Sequence, residues 1–316
     1  MSNNNQCENK CKFKSKIGGQ ALIEGVMMRG IDKEAMAVRL PNGEIDVEVW
    51  DLKKPSVFRK IPLVRGTINF VTSLADGYKC LMKSADKSMQ DDEEEEMTKF
   101  EKWLFEKYGD KIMNIVSVVA LVLGILIAVA LFFFVPTFIA KGISNFIDNK
   151  LLLSAIEGVI KITLFVVYIW LTGKIPDIHR QYEYHGAEHK TIACYEAGLE
   201  LTVENVKKQT RFHPRCGTSF IFIVLFVGIF VFSLVTWSSG LTRALIRIAL
   251  MPVVIGIAYE LIRLAGRYDN LFTKIISAPG LYIQRLTTHE PDDKVIEVAI
   301  AAMTPVIPED KEVDRW

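Results

Sequence analysis

Five histidines occur in this 316-residue chain, and four of them, His179, His185, His189 and His213, fall in one polar stretch, residues 173–218. Two frame the run His185-Gly186-Ala187-Glu188-His189, which reads H-x-x-E-H, the inverted zinc-hydrolase pattern. The spacing matters because helical residues four apart share one face, so two imidazoles can meet a single ion. A helix is the expected host, since the segment 176–198 has Pro176 at its start and Gly198 at its end. In that arrangement His185 and His189 hold zinc or another divalent transition metal. Glu188 then acts as base on water whose pKa the metal lowers toward about 7.

At roughly 100° per residue, Tyr182, His185, His189 and Glu196 form one stripe, while His179 points away from it. Glu196 lies about 10 Å along the axis from His189 at about 1.5 Å per residue. It is therefore expected to orient a ligating imidazole rather than to bind the same ion. A catalytic zinc needs a third protein ligand and an open position. The candidates are Cys216 and His213, in His213-Pro214-Arg215-Cys216-Gly217-Thr218-Ser219, and Glu260, whose buried carboxylate would cease to be an unpaired charge beside a cation. Arg215 is expected to hold an anionic substrate group or a developing oxyanion. Three plainer readings compete. His185 and His189 could be interfacial side chains of an amphipathic helix; His185, His189, His213 and Cys216 could close a structural zinc site; Cys216 could be a buried thiol beside a tight turn at Gly217.

The elements that must position these residues are set by hydropathy. Half of the chain is hydrophobic and 24% is charged, so charges and apolar runs are segregated. Four apolar stretches, residues 112–140, 151–172, 219–237 and 244–266, have the length needed to cross a hydrocarbon core of about 30 Å, about 20 helical residues. The second carries Glu157 and Lys161, expected as an i,i+4 ion pair, and the fourth carries Arg247, Glu260 and Arg263. Between the second and third stretches lie Lys174, Arg180, Lys190, Lys207, Lys208, Arg211 and Arg215, against Lys141 and Lys150 between the first and second. The positive-inside rule places the histidine-bearing loop and both termini in the cytoplasm, with Arg243 and Arg247 against the rule. Cys7, Cys11, Cys80, Cys194 and Cys216 are too irregularly spaced for a disulfide framework and are expected as reduced thiols. A net charge of +1, with no basic stripe interleaved with aromatics, argues against a nucleic-acid partner.

Residues 1–16 form a polar, basic tail that does not read as a signal peptide. Residues 35–40 and 44–50 read as strands around the turn Pro41-Asn42-Gly43. The glycine-punctuated run 18–30 has room for one further strand and lacks the Gly-Lys-Ser/Thr ending of a phosphate loop. Val64, Ile68, Val71, Leu74, Tyr78, Leu81 and Ala85 recur at helical spacing, ahead of an acidic linker at 91–96. Past the last span, a short amphipathic helix runs through Val295, Ile296, Ala299 and Met303 behind an acidic first turn. The expected architecture is a mainly α membrane protein of about four transmembrane helices, with a small N-terminal cytoplasmic β-rich unit and cytoplasmic amphipathic helices. Its segments are the tail 1–16, a cytoplasmic unit 17–111, a membrane domain 112–266 whose loop 173–218 carries the motif, and a cytoplasmic C-terminal segment 267–316.

Four blocks, IGGQALIEGVMMRG at 17–30, YHGAEHKTI at 184–192, LTVENV at 201–206 and HPRCGTSF at 213–220, together resemble the YqhQ family of bacterial membrane proteins. The resemblance runs through nearly the whole chain. It implies a bacterial cell-membrane location and, in general terms, a metal-dependent enzyme from a family whose function is undefined. Its motif residues fall on His185, Glu188, His189, His213, Arg215 and Cys216. Two functions follow as expectations. One is a membrane-embedded, metal-dependent hydrolase acting at the cytoplasmic membrane surface on a lipid-linked substrate or on another membrane protein. The other is a non-catalytic membrane adaptor or assembly factor with a structural metal site. A transporter fits less well, because the first and third spans are almost uniformly apolar.

Overall fold

The computed structural model describes residues 13–52, 57–88, 110–147, 149–234, 240–268, 270–310 and 313–315. Cys7, Cys11, the acidic run 91–96 and the end of the third apolar stretch lie outside the described residues.

Four antiparallel strands, β1 (Gly18–Leu22), β2 (Gly25–Arg29), β3 (Lys33–Arg39) and β4 (Ile45–Asp51), form a meander in the order β1-β2-β3-β4. The turn at Pro41-Asn42-Gly43 is where its chemistry places it, with Gly43 in the left-handed region at φ 89°. The run 18–30 holds two strands where the sequence suggests one. They are joined through Ile23 and Glu24, and Glu24 is itself left-handed at φ 46°. Its carbonyl accepts from Arg39 N at 2.8 Å and its carboxylate from Tyr184 Oη at 2.9 Å, contacts that hold a non-glycine residue in that region.

Helix α1 spans Val64–Ser88. Helix α2 (Asp110–Val129) passes through a π turn, Ala130–Phe134, into α3 (Val135–Ile143), followed by α4 (Lys150–Thr172). Next come α5 (Pro176–Glu196), α6 (Val203–Lys207), α7 (Gly217–Ser233), α8 (Gly240–Arg267), α9 (Leu271–Thr287) and α10 (Asp293–Met303). Three runs, Val118–Ile143, Ala155–Thr172 and Leu245–Arg267, are long and apolar enough to cross a membrane. Apolar α7 has 17 described residues, about 26 Å at about 1.5 Å per residue, a little short of a core of about 30 Å. Helix α9 is missing from the sequence reading because Pro279 interrupts its pattern; Asn270 and Thr273 nevertheless start it with a reciprocal capping box.

The chain divides into two compact units. One gathers the residues up to Ser88, Thr172–Val224 and Ile255–Trp316, so stretches far apart in sequence build one body. Strand alternation gives its sheet two apolar faces. Val26, Met28, Ala35 and Ala37 join Tyr184 and Ala187 of α5 and Val295 and Ala299 of α10 in one core, while Met27, Met36 and Val38 meet Cys80 of α1 in another. Burial on both faces explains why β2 and β3 read as near-continuous apolar runs. Edge strand β4 does alternate, but Val47 and Val49 are exposed, and Asp46 and Glu48 turn to Lys83 and Lys87 of α1.

The other unit, Met89–Leu171 with Leu225–Val254, contains the expected pair of Glu157 and Lys161, with Nζ to Oε1 at 2.8 Å. Arg247 joins it at 2.9 and 3.4 Å, so both cations share one buried carboxylate.

Candidate metal centre

Helix α5 begins with Pro176 in its first turn, where a missing N–H costs nothing, and is followed by Gly198 at φ 68°. Its motif is buried against the stretch that follows α9. The closeness depends on Gly186, because a Cβ there would lie 2.1 Å from the carbonyl oxygen of His289. His289 N donates to Tyr182 O at 2.9 Å, tying that stretch to α5 one turn before the motif. The carbonyl of Thr287 is thereby brought to His185 Nδ1 at 2.8 Å, and on the far side Arg211 O meets His189 Nδ1 at 2.6 Å. A carbonyl can only accept, so each Nδ1 carries its hydrogen and each Nε2 is the atom turned to the cluster, the orientation that serves a metal-binding histidine once Nε2 is deprotonated.

Those Nε2 atoms converge on Cys216. His185 Nε2 is 3.1 Å from Cys216 Sγ, the two motif rings are 4.4 Å apart, and the three ligand atoms of His185, His189 and Cys216 all lie within 4.8 Å of one another. A tetrahedral zinc with bonds of about 2.0 Å to nitrogen and about 2.3 Å to sulfur separates its ligands by roughly 3.5 Å, so a small contraction suffices to close the set on an ion. Two imidazoles and a thiolate also match the donor preferences of zinc-like metals.

Cys216 opens α7, and the loop before it is fixed by α9. Gln284 Oε1 accepts from His213 N at 2.8 Å, and its Nε2 donates to His213 O at 2.7 Å and Ser219 Oγ at 2.9 Å. Gly280 allows this approach, since a Cβ there would stand 2.4 Å from Ser219 Oγ. Gln284, Gly280 and the carbonyls of Thr287 and Arg211 are site residues that the motif search missed. Backbone carbonyls have no residue type to betray them, and α9 itself was hidden by Pro279.

The remaining candidates separate clearly. His213 is a near neighbour, its ring 5.5 Å from that of His189, but its Nε2 lies 3.0 Å from Arg215 Nη2. A guanidinium can only donate, so this lone pair is already used and His213 stands outside the ligand group. Arg215 also donates to Ser15 O at 2.5 Å and pairs with Glu196. Arg215 thus braces this loop while also lining the cavity that Glu188 and Cys216 share. Glu196, expected to orient a ligating imidazole, pairs with Arg215 and accepts from Ser15 N at 2.6 Å. Glu260 is corrected as a ligand candidate: Arg65 grips its carboxylate through both Nε, at 2.7 Å, and Nη2. His179 stacks on His289 at 4.1 Å, away from the cluster as its helical phase requires.

Burial and mutual charge tune the group strongly. Burial depresses the His185 imidazolium, but the Cys216 thiolate outweighs it and brings His185 up to about 9. Burial raises the Cys216 thiol, yet His185 and His189 drive it well below its ordinary range. Burial, aided by the Arg215 charge, keeps His213 neutral, far below a usual histidine. Glu188 is raised above the usual carboxylate range by burial, against the pull of His189, His185 and the Gly19 N–H. Glu188, His185 and Cys216 line one cavity of about 450 Å³ together with strand β1. Close approach of that strand needs Gly19, whose Cβ would fall 2.6 Å from Met27 O and 2.9 Å from Glu188 Cγ.

Fold and site therefore define a predominantly helical chain with membrane-length helices, a small antiparallel sheet and a His/His/Cys cluster beside a buried glutamate. Residues 61–309 match the family described as Protein of unknown function (DUF1385). The Uncharacterized protein YqhQ of Bacillus subtilis (strain 168) is 37% identical over 303 residues, covering 94% of each chain. The chain belongs to this YqhQ family. No solved structure matches it.

Proposed function

We propose that the protein is a membrane-embedded, metal-dependent hydrolase whose site lies at the cytoplasmic membrane surface, with four spans and both termini inside. The observation that carries this reading is the convergence of three ligand atoms, from His185, His189 and Cys216, beside Glu188 on one cavity wall. A divalent metal held by these residues supplies Lewis acidity and acidifies water toward neutral pH. Glu188 is the general base: burial leaves it with a raised proton affinity, and it sits one residue from His189 with the cavity before it. Thr287 and Arg211 fix the imidazole tautomers, while Glu196 and Arg215 hold the His213 loop that delivers Cys216.

The alternative, an adaptor with a structural site, calls for a closed set of four protein ligands. Against it, His213 is turned to Arg215, and two of the three remaining ligands, His185 and Cys216, border open volume. A second reading is favoured by the 3.1 Å contact of Cys216 with His185: a thiolate and imidazolium acting without metal. Negligible metal in purified protein, with rapid iodoacetamide labelling of Cys216, would favour that reading instead.

The deciding test is Glu188→Gln, which keeps size and removes the base. The hydrolase reading expects metal content and fold to be retained while complementation of a strain lacking the gene is lost, since removing a general base costs about 10²- to 10⁴-fold in rate. Retained metal with full complementation sinks the enzyme and leaves the adaptor.

A further inference from the structure

A second cavity, of about 460 Å³, adjoins the first along the N-terminal part of β1; Lys16, Gly18, Gly19 and Gln20 line both cavities. Its walls carry three cations, Lys16, Arg29 and Arg59, and no carboxylate is among its described lining residues. Arg29 is offset by Asp76 at 3.2 Å and Glu34 at 3.9 Å. The other two meet neutral partners: Lys16 Nζ donates to Val313 O at 2.9 Å, and Arg59 Nη2 to Thr72 Oγ1 at 3.1 Å. Neither forms a direct ion pair among the described residues; Asp314, which accepts from Lys16 N at 2.9 Å, is an acidic neighbour of Lys16, and Arg59 has only its neutral partner, so positive charge predominates among the described lining residues. Such a recess attracts an anion and concentrates it. Asn69 and Tyr259, bonded to each other at 2.8 Å, and Ser73 add neutral hydrogen-bonding groups to the same wall.

Two features specify the anion further. Several separated donors around one space suit a group with several acceptor oxygens, which is phosphate more than carboxylate. Tyr259 belongs to the Leu245–Arg267 run of membrane length, and Gly66 of α1 packs so closely on it that a Cβ would stand 2.6 Å from Tyr259 Cβ. The volume also exceeds what a bare phosphate fills and falls in the range of cavities that take small organic ligands.

We infer that this second cavity is a subsite for the phosphorylated headgroup of a membrane lipid, which it presents along β1 to the cavity of Glu188 and Cys216. The claim that this lipid is the substrate rests on the hydrolase reading; the anion subsite itself does not. Gly18 belongs to both cavities, and a Cβ built on it meets nothing within 4 Å, so the lining they share is open at this residue.

The test uses the full chain in a phosphate-free maltoside detergent, titrated with short-chain phosphatidic acid or with inorganic phosphate and read as binding affinity. Wild type should bind the lipid and bind inorganic phosphate at least about tenfold more weakly. Lys16→Gln with Arg59→Gln should weaken lipid binding by about tenfold or more, the scale of lost charge-assisted hydrogen bonds. Ser73→Asp, at an exposed helix position that folding tolerates, should do the same by placing a carboxylate in the recess. The Lys16/Arg59 variant should keep the metal content of wild type, which separates failure of this subsite from failure of the metal centre. Unaltered affinity in both the Lys16/Arg59 and the Ser73 variants, or no binding by wild type, overturns the subsite. Equal affinity for inorganic phosphate overturns the lipid as its source.

Discussion

The Glu157 cluster and the His185 cluster are both buried, yet they differ in what their atoms still need. In the first, one carboxylate takes both Lys161 and Arg247, and Phe232 lies 5.6 Å from the Arg247 guanidinium. Charge there answers charge, as ionisable groups within an apolar run require. In the second, two imidazole Nε2 atoms and the sulfur of Cys216 face one another, the outer nitrogens already fixed by carbonyls. Like ligands pointed at a common centre repel or compete for a proton unless a cation sits between them. The difference teaches that burial alone does not mark a functional site; an arrangement that its own residues leave incomplete does.

The largest expected effect lies on the incomplete side. Purified wild-type protein should hold about one zinc-like ion per chain, because two oriented imidazoles and a thiolate form a catalytic-type ligand set. His185→Ala with His189→Ala should remove it, as metal analysis of detergent-purified protein will show, while Glu157→Gln should leave it in place. Equal metal in wild type and the double variant would erase the contrast between the two clusters.

On the compensated side the readout is stability. Glu157→Gln strands Arg247 and Lys161 without their counter-charge, a loss of about 3–5 kcal/mol for breaking a buried pair. Thermal unfolding in detergent measures it. Replacing Glu157, Lys161 and Arg247 together by Leu should restore most of that loss, since a buried ionic group can be exchanged for apolar packing. Recovery of stability with intact complementation marks this cluster as scaffold; lost complementation in the stable triple variant would give it a function of its own.

How much of this was legible depended on whether the information was local. Helix α5 and the shared face of His185 and His189 follow from spacing and from Pro176, and α1 and α10 follow from apolar periodicity. The i,i+4 pairing of Glu157 and Lys161 is likewise a property of one helix. Glu260 misled because a carboxylate needing a cation found Arg65, a partner 195 residues away that no spacing rule reveals. The bracing contacts of Arg215 to Glu196 and Ser15 were hidden for the same reason. The double strand at 18–30 was obscured because Glu24, not glycine, occupies the left-handed turn position, held there by Arg39 and Tyr184.

The smallest expected effect is also the finest probe of how the cluster is built. Gly186 sits between the two ligand histidines, and a methyl group there would press to 2.1 Å on the His289 carbonyl oxygen. Backbone on both sides cannot yield by rotating a side chain, so the 287–291 stretch must move away from α5. Overpacking of this kind costs about 1–3 kcal/mol. Glycine gives up helix propensity of about 1 kcal/mol relative to alanine, so in an open helix Gly186→Ala would be stabilising. The two effects have opposite signs, and the contact distance decides that the clash wins. Retreat of the stretch also withdraws Thr287 O from His185 Nδ1, freeing the ring to change tautomer or turn. Loss of an orienting partner typically weakens metal affinity by about 10- to 100-fold. Gly186→Ala should therefore unfold at lower temperature and release its ion to a chelator that wild type resists, with the ligand residues themselves untouched. If its stability rises and its metal stays, the glycine is only a packing accident and the cluster does not depend on the stretch after α9.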